Sequence, residues 1–371
     1  MVSHDPAAPG WVDDKPAEGP EALNLVIKRA LVERLLRGPV LPRVLAGRRR
    51  VLRGRRVHRD YAALVALEKL VRSMTSRGEM TPAGERREMA LGSWCVDPVP
   101  PSGVHGEDVM LEGEDGEPPT SIRLYRPRNL RRKPSPGLLY IHGGGWVVGS
   151  VATHDLLCRR LALGAGCPVA SLRYRLAPEH PHPAAFDDAR RGYRQLVAHA
   201  DALGLDPRRL AIGGDSAGGH LSALVANALR DDGPFFQLLI YPAVDLTKSL
   251  PSHRDFGQGY LLEAEKIDWY LEHFLPADTA RDRPDVSPWF EPDLSGVCPA
   301  LIYTAGFDPL LDEGEAYARR LSEAGVETTY HCFEDQIHGF ANMAGVVDVA
   351  RAAVDRITED LRRAFEAPLA R

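Results

Sequence analysis

The 371-residue chain lacks any stretch approaching the roughly 18 to 20 successive apolar residues that a membrane-spanning helix needs. Its first sixteen residues are charged and proline-rich, with no apolar core that could act as a secretory signal. These two absences predict a soluble, cytoplasmic protein. Cysteine is scarce: Cys95, Cys158, Cys167, Cys298 and Cys332 are odd in number, widely spaced and form no C-x-x-C pair. Such a set builds neither a disulfide framework nor a zinc site, so these residues read as reduced packing residues. No His-x-x-x-His occurs, the glycines at 143–145 lack the spacing of a dinucleotide loop, and no P-loop lysine is present. No metal and no cofactor is therefore expected.

Apolar residues make up 44% of the chain, enough for one large α/β domain with an added cap or for two modest domains. The net charge of -5 conceals an asymmetry. Residues 28–59 carry twelve Lys or Arg against the single Glu33, which leaves a remainder of roughly -16. An acidic body of that kind argues against a nucleic-acid partner.

Composition divides the chain into three regions, and no internal repeat is found. Residues 1–60 form a basic N-terminal extension. Leu23, Ile27, Ala30, Leu31 and Leu35 recur at helical spacing and predict an amphipathic helix over 23–36. Gly38-Pro39 and Pro42 end it, and the run Arg48-Arg49-Arg50, Arg53, Arg55-Arg56, Arg59 follows. Residues 23–59 could rest on an anionic membrane surface. The plainer account is that the arginines pair with the acidic body and the apolar face docks on the cap or on a second subunit, giving a homodimer.

Residues 61–105 read as N-terminal cap helices. Leu64, Leu67, Leu70 and Val71 lie on one face of a helix over 61–74, and Thr81-Pro82-Ala83-Gly84-Glu85 has the composition of a second helix start. From 106 to 371 the pattern is that of a catalytic domain. Strands are expected at 108–111, 122–125, 138–141, 168–172, 210–213, 237–241, 300–304 and 328–333, with helices such as 184–200, 217–230 and 316–324 in the gaps. Alternation of this kind builds a mostly parallel sheet covered on both faces. Residues 245–291 are too long for a simple crossover and carry Trp269, Tyr270, Phe274 and Trp289, so they read as a cap insertion above the sheet.

Gly214-Asp215-Ser216-Ala217-Gly218 fits G-x-S-x-G and sits between an apolar strand and a helix-favouring run. A nucleophile on so sharp a turn tolerates only small neighbours, which Gly214, Ala217, Gly218 and Gly219 supply. The bland reading of such a pentapeptide is an ordinary glycine-rich turn, and the strand-to-helix context counts against it. His142-Gly143-Gly144-Gly145-Trp146 follows an earlier strand. Three glycines at a strand end weaken it unless their amides must approach something closely. An oxyanion is the obvious candidate, bound by N–H groups drawn from Gly143, Gly144 and Gly145 together with that of Ala217.

A serine hydroxyl needs a base, and the base needs an orienting acid. His338, after the last expected strand, and Asp308, after the one before it, lie where sites in such sheets are built. Asp312 and Asp335 are the competing acids; the first reads as a solvated or capping carboxylate at a helix start, the second as too close to His338 in sequence. The order Ser216, Asp308, His338 is that of the α/β-hydrolase fold.

The chain resembles the hormone-sensitive-lipase family of bacterial esterases. The likeness rests on His142-Gly143-Gly144-Gly145-Trp146, Tyr174-Arg175-Leu176-Ala177-Pro178-Glu179-His180-Pro181, Gly214 to Gly219, Asp293-Leu294-Ser295-Gly296, Asp308-Pro309-Leu310-Leu311-Asp312-Glu313 and His338-Gly339-Phe340. It spans about residues 61–365. It implies an eight-stranded, mostly parallel sheet with helices on both faces, a helical cap, and hydrolysis of short to medium acyl esters. It also implies that His142 shapes the glycine loop and transfers no proton. Leu311 and His182 depart from the common Arg and Phe, and neither departure touches the triad. Trp146, Asp215, Trp269, Tyr270 and Phe274 are expected to wall the substrate pocket, with cap-core packing as the alternative for the three insertion aromatics. Two rival functions stay open: an amidase or peptidase using the same triad, and a non-catalytic ligand receptor on the same fold, which the presence of His338 disfavours.

Overall fold

The structure, a computed structural model, describes residues 51–74, 79–96, 101–113, 116–130, 133–230 and 232–368. Each of the eight segments expected as strands is one: β1 (Val104–Leu111), β2 (Thr120–Pro127), β3 (Ser135–Ile141), β4 (Val169–Leu172), β5 (Leu205–Asp215), β6 (Gln237–Ile240), β7 (Ala300–Phe307) and β8 (Thr328–Ile337). They form one sheet in the order β8-β7-β6-β5-β3-β4-β2-β1. Pairing is antiparallel for β1 with β2 and β2 with β4, and parallel from β4 onward to β8.

Every residue of β3, β4, β6 and β7 is buried. That explains their mostly apolar sequence, since parallel strands need cover on both faces. Successive side chains serve opposite faces. Leu138, Tyr140, Leu238 and Tyr303 join a core with α3 (Asp155–Ala165) and α8 (Asp348–Glu366). Leu139, Ile141 and Ile212 meet α4 (Ala184–Ala198) and α5 (Ala217–Ala228), while Leu239 and Ile302 meet α7 (Leu311–Glu323). α7 begins at Leu311 rather than at 316, because Asp312 and Glu313 in its first turn suit the positive end of a helix. Leu311 is buried in the core, where the aliphatic side chain needs no charge partner.

Ahead of the sheet lie a hairpin pairing Val51–Leu52 with Arg55–Arg56, then α1 (Arg59–Met74) and α2 (Pro82–Val96). α2 starts as expected, with proline in the first turn and Thr81 Oγ1 accepting the Gly84 N–H at 3.2 Å. Tyr61 of α1 is fully buried and donates its hydroxyl to Gln336 Oε1 at 2.6 Å. The His58 N–H donates to the carbonyl of Asp335 at 2.8 Å. The described part of the basic extension is thus seated on the end of β8. The expected helix over 23–36 and the arginines at 48–50 lie outside the described residues.

Residues 245–291 hold a helical turn, Ser252–Asp255, then α6 (Ala264–Phe274) and a short 3-10 turn, Pro288–Phe290. All five cysteines are free thiols. Among the described residues no helix is long and apolar enough to cross a membrane.

Candidate active site

Parallel registers such as Ile141↔Gly214 and Asp215↔Ile240 bring the carboxyl ends of the strands level. The residues that follow β3, β5, β7 and β8 therefore gather at one edge. Ser216 occupies the turn between β5 and α5 with φ 53° and ψ -118°, a left-handed conformation that a serine adopts only under constraint. A Cβ at Gly214 would stand 2.3 Å from the Ile141 carbonyl oxygen, and one at Gly218 only 1.9 Å from it. Glycine is required at both positions because β3 crosses directly behind the turn.

Ser216 Oγ lies 3.0 Å from His338 Nε2, and His338 Nδ1 lies 2.8 Å from Asp308 Oδ2. Asp308 is fully buried, and its second oxygen accepts the Leu310 N–H at 2.9 Å. With Nδ1–H donated to the carboxylate, Nε2 is left to accept the serine proton. Neither competing acid reaches His338: Asp312 pairs with Arg53 and accepts the Ser252 N–H, and Asp335 faces the N-terminal segment through its carbonyl. Asp312 lies in the first turn of α7, as expected of a carboxylate at a helix start, and is in addition an ion-pair partner of Arg53.

The glycine loop corrects one expectation. The Gly143 N–H is already used, donating to Asp215 Oδ1 at 3.0 Å, so Gly143 is not an oxyanion donor. Gly144 (φ 123°) and Gly145 (φ 56°) turn the chain in conformations that favour glycine. The Gly144 carbonyl accepts the N–H groups of Val147 and Val148. Among the described residues the N–H groups of Gly144, Gly145 and Ala217 have no acceptor. His142 is stacked on Tyr174 with ring centroids 4.4 Å apart, and its Nδ1 lies 2.9 Å from the Gly143 carbonyl. Burial pushes the His142 imidazole down to about 3, so it is neutral at physiological pH and donates that hydrogen bond.

Four of the five expected pocket residues are placed differently from Tyr270. Asp215 is buried behind the glycine loop, because a carboxylate there collects Tyr140 Oη at 2.7 Å, the Gly143 N–H and Asn342 Nδ2 at 3.1 Å. It is not a pocket wall. Phe274 is also fully buried, stacked on Trp146 at 4.3 Å with planes 9° apart, so it backs the wall and does not form it. Trp146, itself buried, donates Nε1–H to His220 Nδ1 at 3.1 Å, and His220 Nε2–H donates to the Val286 carbonyl at 2.8 Å. Trp269 is buried against His273, 4.2 Å away, under the Lys266 ammonium. Of the five, Tyr270 is the one that stands over Gly145: a Cβ there would meet its ring at 2.3 Å. Lys266 ties this helix to Glu85 of α2.

Residues 138–342 match the family described as the alpha/beta hydrolase fold. The chain belongs to this α/β-hydrolase family. Its likeness to the hormone-sensitive-lipase branch holds among curated relatives. An ethyl acetate hydrolase of Pseudomonas putida is 40% identical over 261 residues, 69% of this chain and 82% of the relative. The carboxylic ester hydrolase LipN of Mycobacterium tuberculosis is 41% identical over 274 residues, 71% of this chain and 72% of that protein. Among solved structures, an ester hydrolase from the Lake Arreo metagenome, complexed with a bipyridine phosphonate derivative, superposes with a TM-score of 0.79. It is 37% identical and covers 84% of this chain and all of its own.

Sequence reasoning about this α/β-hydrolase missed the residues that act from behind. His154, with Nε2 3.3 Å from Asp215, and Tyr140 sit in ordinary-looking strand and helix-start positions. Ser252 and Arg53, which brace the Asp308 loop, come from segments with no motif at all. Only the three-dimensional neighbourhood distinguishes them from other serines and arginines.

Proposed function

We propose that this chain is a serine carboxylesterase that hydrolyses short and medium acyl esters through an acyl-enzyme on Ser216. The observation that carries the reading is the chain from Ser216 Oγ to His338 to buried Asp308, beside three N–H groups that have no acceptor among the described residues. Ser216 Oγ attacks the ester carbonyl carbon while its proton passes to His338 Nε2, and the carbonyl electron pair moves onto oxygen. That oxyanion is received by the N–H groups of Gly144, Gly145 and Ala217, each such donor contributing about 2.7 to 4 kcal/mol to the transition state. Collapse breaks the bond to the alcohol oxygen, which takes the proton from His338. Water then repeats the sequence on the acyl-serine, releasing the acid and restoring Ser216. Asp308 holds the imidazole tautomer and stabilises the imidazolium.

The size limit follows from Tyr270, which stands over Gly145 beside the reacting carbonyl and narrows the space for an acyl chain. In this reading α1, α2 and residues 245–291 form the cap, joined by the Lys266–Glu85 pair. A relative that acts on ethyl acetate supports a short-ester preference. For the basic extension we favour packing on the acidic body over membrane contact, since Arg53 pairs with Asp255 and Asp312 while Val57 and Tyr61 are buried. A cytoplasmic location belongs to the same proposal.

The test is hydrolysis of p-nitrophenyl butyrate beside the matching anilide. The ester should turn over and the anilide should not, Ser216→Ala should be inactive, and a serine-directed phosphonate should modify Ser216. Modification elsewhere, with activity retained in Ser216→Ala, overturns the assignment.

A further inference from the structure

The hairpin over residues 51–56 turns through Arg53 and Gly54, which both have positive φ, 51° and 74°. A two-residue turn of this hand matches the twist of the paired strands, and it asks for glycine or asparagine at both positions. Gly54 meets that demand. Arg53 does not, and an arginine is kept in the left-handed region only where its surroundings over-determine it.

What holds it is its side chain. Arg53 Nη1 and Nη2 bind the two oxygens of Asp312 at 2.6 and 3.1 Å, and Nε binds Asp255 Oδ2 at 2.8 Å. The guanidinium also lies over the Phe256 ring, 5.2 Å from its centroid. The planar fork thus joins two carboxylates from separate segments that would otherwise repel each other.

Both segments flank the Asp308 loop. The Asp312 carboxylate accepts the Ser252 N–H at 2.8 Å, and the Asp312 N–H donates to Ser252 Oγ at 3.1 Å. Ser252 Oγ in turn donates to the carbonyl of Pro309, the residue after Asp308, at 2.6 Å. On the other side Phe256 packs edge-on against Phe307, the residue before Asp308, at 5.6 Å. Arg53 therefore grips the two elements that fix Asp308 from either side.

We propose that Arg53 is a positioning residue for catalysis, through which a hairpin ahead of the sheet sets the Asp308 loop against His338. The proposal rests on the reading of Asp308 as the triad acid. It gives the basic extension a role in turnover that does not depend on any membrane. Arg53 bonds Asp255 and Asp312 and acts only through them, so its loss should appear in kcat and leave substrate binding alone.

The experiment is steady-state hydrolysis of p-nitrophenyl butyrate by the full chain. Arg53→Gln should lower kcat by roughly five- to twentyfold with KM within about twofold, since a small displacement of a catalytic group is costly. Arg53→Lys should recover part of the loss, because one ammonium cannot fork between two carboxylates. Asp312→Asn should behave like Arg53→Gln, and the double variant should be no worse than either. Arg56→Gln, at an exposed residue of the same hairpin, should match the parent. A parent-like kcat in Arg53→Gln overturns the proposal, as does a fall that equals the loss of folded protein by circular dichroism. Asp308→Asn, run alongside, separates the two readings: if it stays active the triad acid is misassigned, and if it is inactive while Arg53→Gln is fully active only the role of Arg53 fails. Should Arg53→Gln not fold, Ser252→Ala removes the hydroxyl that bonds the Pro309 carbonyl and the Asp312 N–H while leaving Arg53 in place. A lowered kcat at unchanged KM then supports the proposal, and an unchanged kcat overturns it.

Discussion

The backbone N–H of Gly143 donates to Oδ1 of Asp215 at 3.0 Å, tying the glycine loop after β3 to the residue immediately before Ser216. The same oxygen accepts the Tyr140 hydroxyl, and the other accepts Asn342 Nδ2. Burial by itself would raise the Asp215 carboxyl, but the His154 imidazole, the Tyr140 phenol and the Gly143 N–H hold it well below the usual carboxylate range. A carboxylate that stays ionised in the interior must be fully hydrogen-bonded. In the proposed mechanism those bonds set the spacing between Ser216 and the Gly144 and Gly145 N–H groups.

Asp215→Asn leaves one acceptor oxygen and turns an amide N–H2 toward groups that are themselves donors. The glycine loop should loosen, lowering kcat by about a hundredfold, as for loss of one oxyanion donor, with KM nearly unchanged. Affinity for a boronate that mimics the tetrahedral intermediate should fall in parallel. An Asp215→Asn enzyme with parent kcat would show that the tie is dispensable.

Gly145→Ala places a Cβ 2.3 Å from Tyr270 Cγ in a residue already at φ 56°. Activity should drop by more than about tenfold because either the donor or the ring must move. Adding Tyr270→Ala removes the steric conflict and should restore part of kcat, while the backbone strain remains. Lack of any recovery in the double variant would place the damage in the backbone alone.

Tyr270 and Phe274 share α6 but should respond differently. Tyr270→Ala should shift the preferred acyl chain to longer lengths across a series of p-nitrophenyl esters, with little change in stability. Phe274→Ala empties a fully buried site beside Trp146 and should cost about 3 to 5 kcal/mol in urea unfolding. An acyl profile that moves only with Phe274 would reverse these roles.

Burial pushes both His142 and His220 down to about 3, from 6.5 in the unfolded chain. Between those values the unfolded state binds the protons, so the contribution of these two imidazoles is full above about 6.5 and declines as pH falls toward 3, by up to about 1.4 kcal/mol per pH unit for each. Urea unfolding between pH 7 and 5 should show this slope. His220→Gln should reduce it by up to one proton, and identical profiles in parent and variant would contradict a buried neutral His220.

Much of this protein was legible before any coordinates, because the signals are local. The inner strands β3, β4, β6 and β7 announce themselves as mostly apolar runs, since strands covered on both faces bury nearly every side chain. Ser216 is legible because only glycine can stand at 214 and 218 where the turn meets β3, and that requirement is written into the sequence around it. His338 and Asp308 follow from their places after β8 and β7, at the edge where parallel strands end together.

What only the tertiary structure decided concerns which group satisfies which. Three consecutive glycines look alike in sequence, yet Gly143 spends its N–H on Asp215 while the N–H groups of Gly144 and Gly145 meet no acceptor among the described residues. Asp215 reads in the sequence as a wall of the substrate pocket, and the buried carboxylate instead bonds the glycine loop. Arg53 is one of many arginines in a basic run, and only the approach of Asp255 and Asp312 sets it apart. The physical reason is common to all three: a strand pattern depends on residues one and two apart, whereas a hydrogen-bond partner is chosen by packing among residues tens or hundreds of positions away.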